Sequence, residues 1–147
     1  MRIDGFEVFR VSLPMVEPFR AAHGLVRERH TLLVRADTDR GQGWGECPAL
    51  MAPTYTHEYV ESAALVLREH LLPAVVGRDV DTAGVVEILD RFAGHSLAKA
   101  AIEMAVLEAE LRDEGRSLAA ALGATRASVE CGVAVGVADT QAQLLQS

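Results

Sequence analysis

Few side chains in this sequence stand at spacings that do chemistry by themselves. Lys99 and Glu103 lie four residues apart, and on one helix face that spacing predicts a solvated ion pair rather than a catalytic lysine. His57 and Glu58 begin as a zinc-protease helix would, but position 61 is Glu where the second histidine of H-E-x-x-H belongs, so that metal site fails. Gly41, Gly43 and Gly45 have the look of a dinucleotide fingerprint, yet Glu46 occupies its sixth position and the element falls between two strands. Glycines alternating with Gln42, Trp44 and Glu46 predict instead a strand with one small face, where another backbone or a ligand comes close. Cys47 and Cys131 form no C-x-x-C and read as buried thiols, with no support for a metal site through cysteine.

The composition narrows the classes further. The chain has 147 residues, half of them hydrophobic, with 14 basic against 21 acidic side chains and a net charge of −7. A chain of this size and hydrophobic content fills a core without staples. Its cations are a single lysine, Lys99, and arginines scattered among acids, which disfavours nucleic-acid binding. No apolar run reaches a membrane span and the start, Met1-Arg2-Ile3-Asp4-Gly5, has no signal-peptide character, so the chain reads as cytoplasmic.

The elements that must position these residues follow from periodicity. Residues 3–13 are rich in branched and aromatic side chains and predict a strand ending at Pro14. Residues 14–29, with Pro14, Pro18, Phe19, His23 and Gly24, show no periodic face and read as a long loop, either a binding flap or a plain surface connection. Thr31–Asp37 and Gln42–Ala49 complete an antiparallel meander around a turn at 38–41. Thr56 is the expected cap of a helix that runs to Leu72 and stops at Pro73; Asp81 or Thr82 starts a second, through Phe92. A third helix, capped by Ser96 and ended by Gly115, is so rich in Ala, Leu, Ile, Val and Met that it must be buried nearly all round. A short helix from Ser117 to Leu122 closes at Gly123.

In 129–136 the odd positions are Val129, Cys131, Val133 and Val135, and the even ones Glu130, Gly132, Ala134 and Gly136, which predicts a strand with one apolar and one small face. Asp139 is the expected cap of a helix in which Ala142, Leu144 and Leu145 begin an apolar face. A strand followed directly by a helix is the opening unit of a parallel sheet or barrel. The expected architecture is an α+β domain over residues 1–125, a three-stranded antiparallel meander with a helical bundle, then the first strand and partial helix of a (β/α) barrel over 126–147, the remainder of that barrel being absent.

Pro18-Phe19-Arg20 with Gly24, Gly43-Trp44-Gly45-Glu46-Cys47, Pro53-x-Tyr55, Gly94-His95-x-x-Ala98-Lys99-x-Ala101-x-Glu103-Met104-Ala105 and Cys131-Gly132-Val133-x-Val135-Gly136 stand in order along the chain. In these motifs the sequence resembles the N-terminal portion of the o-succinylbenzoate synthase / N-acylamino acid racemase family of the enolase superfamily. The resemblance implies a capping domain over the open end of a barrel that holds a divalent metal, usually magnesium, on carboxylates and carries two lysines as acid and base. Such enzymes remove a proton alpha to a carboxylate while the metal stabilises the ene-diolate. The family's lysines and metal-binding acids match no position here, so no catalytic residue and no metal ligand is expected in this chain. Lys99 matches neither lysine.

What carries over is the substrate-enclosing surface. Phe19 matches a loop that closes over the pocket, Leu50 and Tyr55 match a second capping loop, and Ala134 matches a pocket-lining position. Each also has a structural reading: Tyr55 as a staple to the helix start, Leu50 as ordinary core. Trp44 reads as a cross-strand aromatic, Glu46 as scaffold, and Cys131 as barrel packing. His23 stands where close relatives often carry an aromatic, and Leu50 and Ala134 where some carry Met and Ser, changes that bear on substrate choice. The implied parent is a lyase and racemase, a homo-oligomer acting on a small carboxylate in menaquinone synthesis. The competing expectation is a non-catalytic α+β binding module derived from the capping domain.

Overall fold

The computed structural model describes residues 1–21, 24–138 and 140–145. His23, the expected cap Asp139 and the side chain of Leu144 lie outside what is described. Three strands, β1 (Ile3–Ala21), β2 (Gly24–Thr38) and β3 (Gly41–Cys47), form an antiparallel sheet in that order, with β2 and β3 in register from Leu32↔Cys47 to Thr38↔Gly41. The Thr38 hydroxyl closes the β2–β3 turn, donating to the Gly41 carbonyl at 2.8 Å and accepting from the Arg40 N–H at 3.1 Å. The long loop expected over 14–29 is absent: β1 continues to Ala21 and β2 begins at Gly24. Pro14 and Pro18 do not interrupt β1 because it is an edge strand, where a missing N–H need not cost a ladder bond.

The chain divides into two compact units, one of Met1–Val11 with His30–Ala124, the other of Ser12–Arg29 with the residues from Thr125 on. The outer halves of β1 and β2 thus group with the C-terminal stretch.

The first unit holds the hydrophobic core. Helix α1 (Val60–Val66) runs through a π turn at Leu67–Leu71 into α2 (Leu72–Val75). This helix starts three residues later than expected, at the Tyr59 cap, where the Ser62 hydroxyl accepts from the Tyr59 N–H at 3.1 Å and donates to its carbonyl at 2.9 Å. Thr56 instead donates to the Glu58 carbonyl. Nor does Pro73 end the helix: the π turn, with the Leu72 N–H reaching back to the Leu67 carbonyl, shifts the hydrogen-bond register just ahead of the proline, which then sits in the first turn of α2. Helix α3 (Thr82–Leu89) is capped by Asp81, whose carboxylate accepts from the Gly84 N–H at 2.8 Å. Glu110 also holds this start, accepting from the Thr82 N–H and hydroxyl at 2.9 and 2.6 Å.

Helix α4 (Ser96–Asp113) packs on β3. Ala98, Ala101, Ile102, Ala105, Val106 and Ala109 are buried, but Glu103 and Met104 face outward, so the helix is covered on one side rather than all round. The small face expected of β3 meets the α4 backbone. A Cβ on Gly43 would overlap the Ala105 carbonyl and the Ala109 amide, and one on Gly45 would overlap the Ala101 carbonyl. The close neighbour of these glycines is therefore a helix, not a ligand. The edge amide of Trp44 donates to Glu108 of α4 at 2.5 Å, satisfying a group that β3 leaves unpaired. Helix α5 (Leu118–Ala121) follows, capped by Ser117 and closed, as expected, by Gly123 at φ 68°.

The second unit is built differently. No described residue in it is buried. The strand expected over 129–136 carries no sheet ladder among the described residues; the Val137 N–H donates to the Arg20 carbonyl at 2.9 Å. A strand is defined by its partners, and its apolar residues have no covering layer here: Val129 and Val133 are 78% and 87% exposed. Helix α6 (Gln141–Leu144) follows.

Candidate functional site

In the second unit the candidate surface is a recess of about 610 Å³ between the outer β-ribbon and residues 135–138, open to solvent. Phe19 is half-buried in its wall, its ring against the backbone of Gly136. A side chain at Gly136 would press on the Arg20 backbone and the Phe19 ring, so this glycine lets the two segments approach. Ala134, two residues earlier, is exposed and does not line the recess. Of the four residues that the family resemblance singles out, Phe19 and Ala134 thus belong to this unit, whereas Leu50 and Tyr55 belong to the first.

Leu50 and Tyr55 sit on a closed loop. The Leu50 carbonyl accepts from the Val60 N–H at 2.9 Å, and Leu50 bridges Tyr59. Joined at this base, the residues between form a compact excursion with Tyr55 near its tip, 78% exposed. Leu50 is half-buried, whereas the Tyr55 ring is largely exposed.

What anchors that loop is Glu58, which sequence reasoning passed over except as a failed zinc motif. Only 3% exposed, it accepts from the Leu97 and Ala98 N–H groups at 3.0 and 3.2 Å. Its carboxylate therefore caps α4, the role expected of Ser96, while His95 takes the cap position in a left-handed conformation at φ 56° with no side-chain cap bond. One buried acid thereby ties the base of the Leu50–Val60 loop to the start of the longest helix. No local signal announces it, because donor and acceptor are 39 residues apart.

The remaining candidates are put to structural use. Lys99 makes no ion pair with Glu103; its ammonium donates to the Phe92 carbonyl at the end of the α3 segment. Glu61 pairs with Arg10 at 2.6 Å, a hydrogen bond that lowers its pKa. Trp44 is the cross-strand aromatic expected, its ring 5.5 Å from Phe9 with Arg35 over both rings. Glu46 accepts from the buried Thr31 hydroxyl at 2.8 Å. Of the thiols, Cys47 is buried as expected and Cys131 is exposed, a departure from the burial expected of it, with no layer over 129–136 among the described residues. Among the described residues no three His, Cys, Asp or Glu side chains converge as a cation site would require, so the acids and histidines present do not fit the metal that the resemblance implies. No helix of the described residues is long and apolar enough to cross a membrane.

Known proteins share this arrangement. Residues 5–123 match the mandelate racemase / muconate lactonizing enzyme N-terminal domain family. An N-succinylamino acid racemase from Amycolatopsis is 49% identical over 99% of this chain, and an o-succinylbenzoate synthase from Bacillus subtilis 36% identical over 94%. The crystal structure of an enolase-superfamily member from Listeria innocua superposes with a TM-score of 0.91 at 32% identity, over 99% of this chain and 40% of that one. The chain spans about 40% of the length of these curated relatives (40% and 38%). By its three-stranded sheet, its helices and the match across most of its length, the chain belongs to the mandelate racemase / muconate lactonizing enzyme N-terminal domain family, within the enolase superfamily.

Proposed function

We propose that this chain is the substrate-capping portion of an enzyme that removes the proton alpha to a carboxylate, acting as an o-succinylbenzoate synthase in menaquinone synthesis and as an N-succinylamino acid racemase. The observation that carries this reading is the 49% identity with an N-succinylamino acid racemase over 99% of the chain. Both reactions share one enolate: loss of hydroxide gives dehydration and reprotonation gives racemisation, so the pocket decides between them. The division of labour is a capping domain over residues 1–125 and the opening of the barrel over 126–147. A divalent cation, magnesium, would neutralise the developing enolate charge in the parent enzyme, held by residues outside this chain.

This chain's own contribution is enclosure. Phe19, Leu50, Tyr55 and Ala134 supply apolar contact and exclude water, and Glu58 and Gly136 fix the segments that carry them. The parent enzyme is a cytoplasmic homo-oligomer on this reading. The full-length polypeptide is the sample to assay, for dehydration to o-succinylbenzoate and for racemisation of N-succinylamino acids. Both activities are expected to vanish on treatment with EDTA and to return with magnesium; turnover that survives chelation overturns the proposal.

A further inference from the structure

The recess of the second unit carries a charge that the four enclosing residues do not explain. Strand periodicity puts Glu17 and Phe19 of β1 on one face of the ribbon, with Leu25 and Arg27 of β2, and all four line the recess together with Arg20 and Val135. Phe19, Leu25 and Val135 make the wall apolar. Arg27 has no ion pair or hydrogen bond among the described residues; even Glu17, across the same recess, is not within ion-pair distance of it. Its neighbours on β2 are used differently, Glu28 accepting from Ser12 at 3.1 Å. An unpaired guanidinium beside an apolar wall is suited to a carboxylate at the end of an aliphatic arm, which the wall contacts while the fork takes both oxygens.

We infer that Arg27 is a specificity-determining residue that binds the distal carboxylate of a dicarboxylate substrate, one whose other carboxylate flanks the reacting carbon. The inference rests on the proposed function, since both proposed reactions use a succinyl group, and it adds which residue reads the far end of that group. Arg27 takes no part in proton transfer.

The test uses the full-length enzyme and its Arg27→Met and Arg27→Lys variants, with an N-succinylamino acid against the matching N-acetylamino acid, which lacks the distal carboxylate. The ratio of kcat/KM for the succinyl over the acetyl substrate is expected to fall about tenfold in Arg27→Met, through KM, and to be partly restored in Arg27→Lys. Equal losses on the two substrates, or no change in the ratio, overturn the inference. Calorimetric binding of the same two compounds separates the two readings. A wild-type enzyme that turns over neither overturns the proposed function, yet a succinyl preference in binding that Arg27→Met abolishes still upholds the role of Arg27, and absence of that preference refutes it.

Discussion

The two units of the chain differ in how far their own residues cover their apolar side chains. In the first, β3 and α4 approach until backbone touches backbone at Gly43 and Gly45, a buried carboxylate caps the helix, and the core residues from Ile3 to Val106 are nearly inaccessible. In the second, valines at 129, 133 and 135 stand exposed and no described side chain is buried. What distinguishes the first unit is that its apolar residues recur with partners of matching shape, alanine opposite glycine, whereas the valines of 129–135 alternate along a segment with no facing layer.

Substitutions can break this contrast at its strongest point first. Gly45→Ala places a methyl group on the Ala101 carbonyl, and is expected to cost about 4 kcal/mol in urea denaturation. Gly132→Ala, in open space, should change stability by less than ~0.5 kcal/mol, and similar effects at the two sites would erase the distinction drawn between the units. Next, Glu58→Ala leaves two buried helix amides without an acceptor and is expected to cost about 3 kcal/mol. Since Glu58 also anchors the loop of Leu50 and Tyr55, proteolysis within 51–57 should accelerate in the same variant; an unchanged cleavage rate would dissociate loop from cap.

The smallest effect concerns the cysteines. Burial pushes the Cys47 thiol up to about 11 from an ordinary value of 9.0. The unfolded chain then loses its thiol proton first, so the contribution is intact below pH 9 and disappears as pH rises from 9 to 11. Over that window the wild type should lose on the order of 2 kcal/mol more stability than Cys47→Ala, read from denaturation curves at each pH. In the 147-residue polypeptide a thiol reagent should modify exposed Cys131 at once and Cys47 only on unfolding. Equal reactivity would contradict the burial difference.

Local patterns made much of the first unit legible. Branched residues flanking Thr38–Gly41 predict the meander, alternating glycines the small face of β3, and the alanines of 98–109 the tight packing of α4. What escaped depends on partners distant in sequence or on strand position. Proline is a strand breaker only where a ladder needs its N–H, and Pro14 and Pro18 lie on the edge strand of a sheet whose order the sequence does not state. The π turn that carries the helix past Pro73, the capture of α4 by Glu58 and the turn of Lys99 toward Phe92 are likewise decided by the assembled fold. The candidate site was legible only by family resemblance. Phe19, Leu50, Tyr55 and Ala134 share no spacing that would single them out, whereas Arg27 became visible once strand pairing set it beside Phe19.

The contact between β3 and α4 also sets a timetable for the chain during synthesis. Trp44 and Glu108, which it brings together, are 64 residues apart, so closing that loop costs roughly 3.7 kcal/mol of chain entropy before packing offsets it. A ribosome adding about 5–20 residues per second leaves the bare edge of β3 waiting roughly 3–13 s for its helix across those 64 residues. The nascent meander is thus a transient exposed edge, and the alanine face of α4, synthesised well after β3, is the lid that ends its exposure.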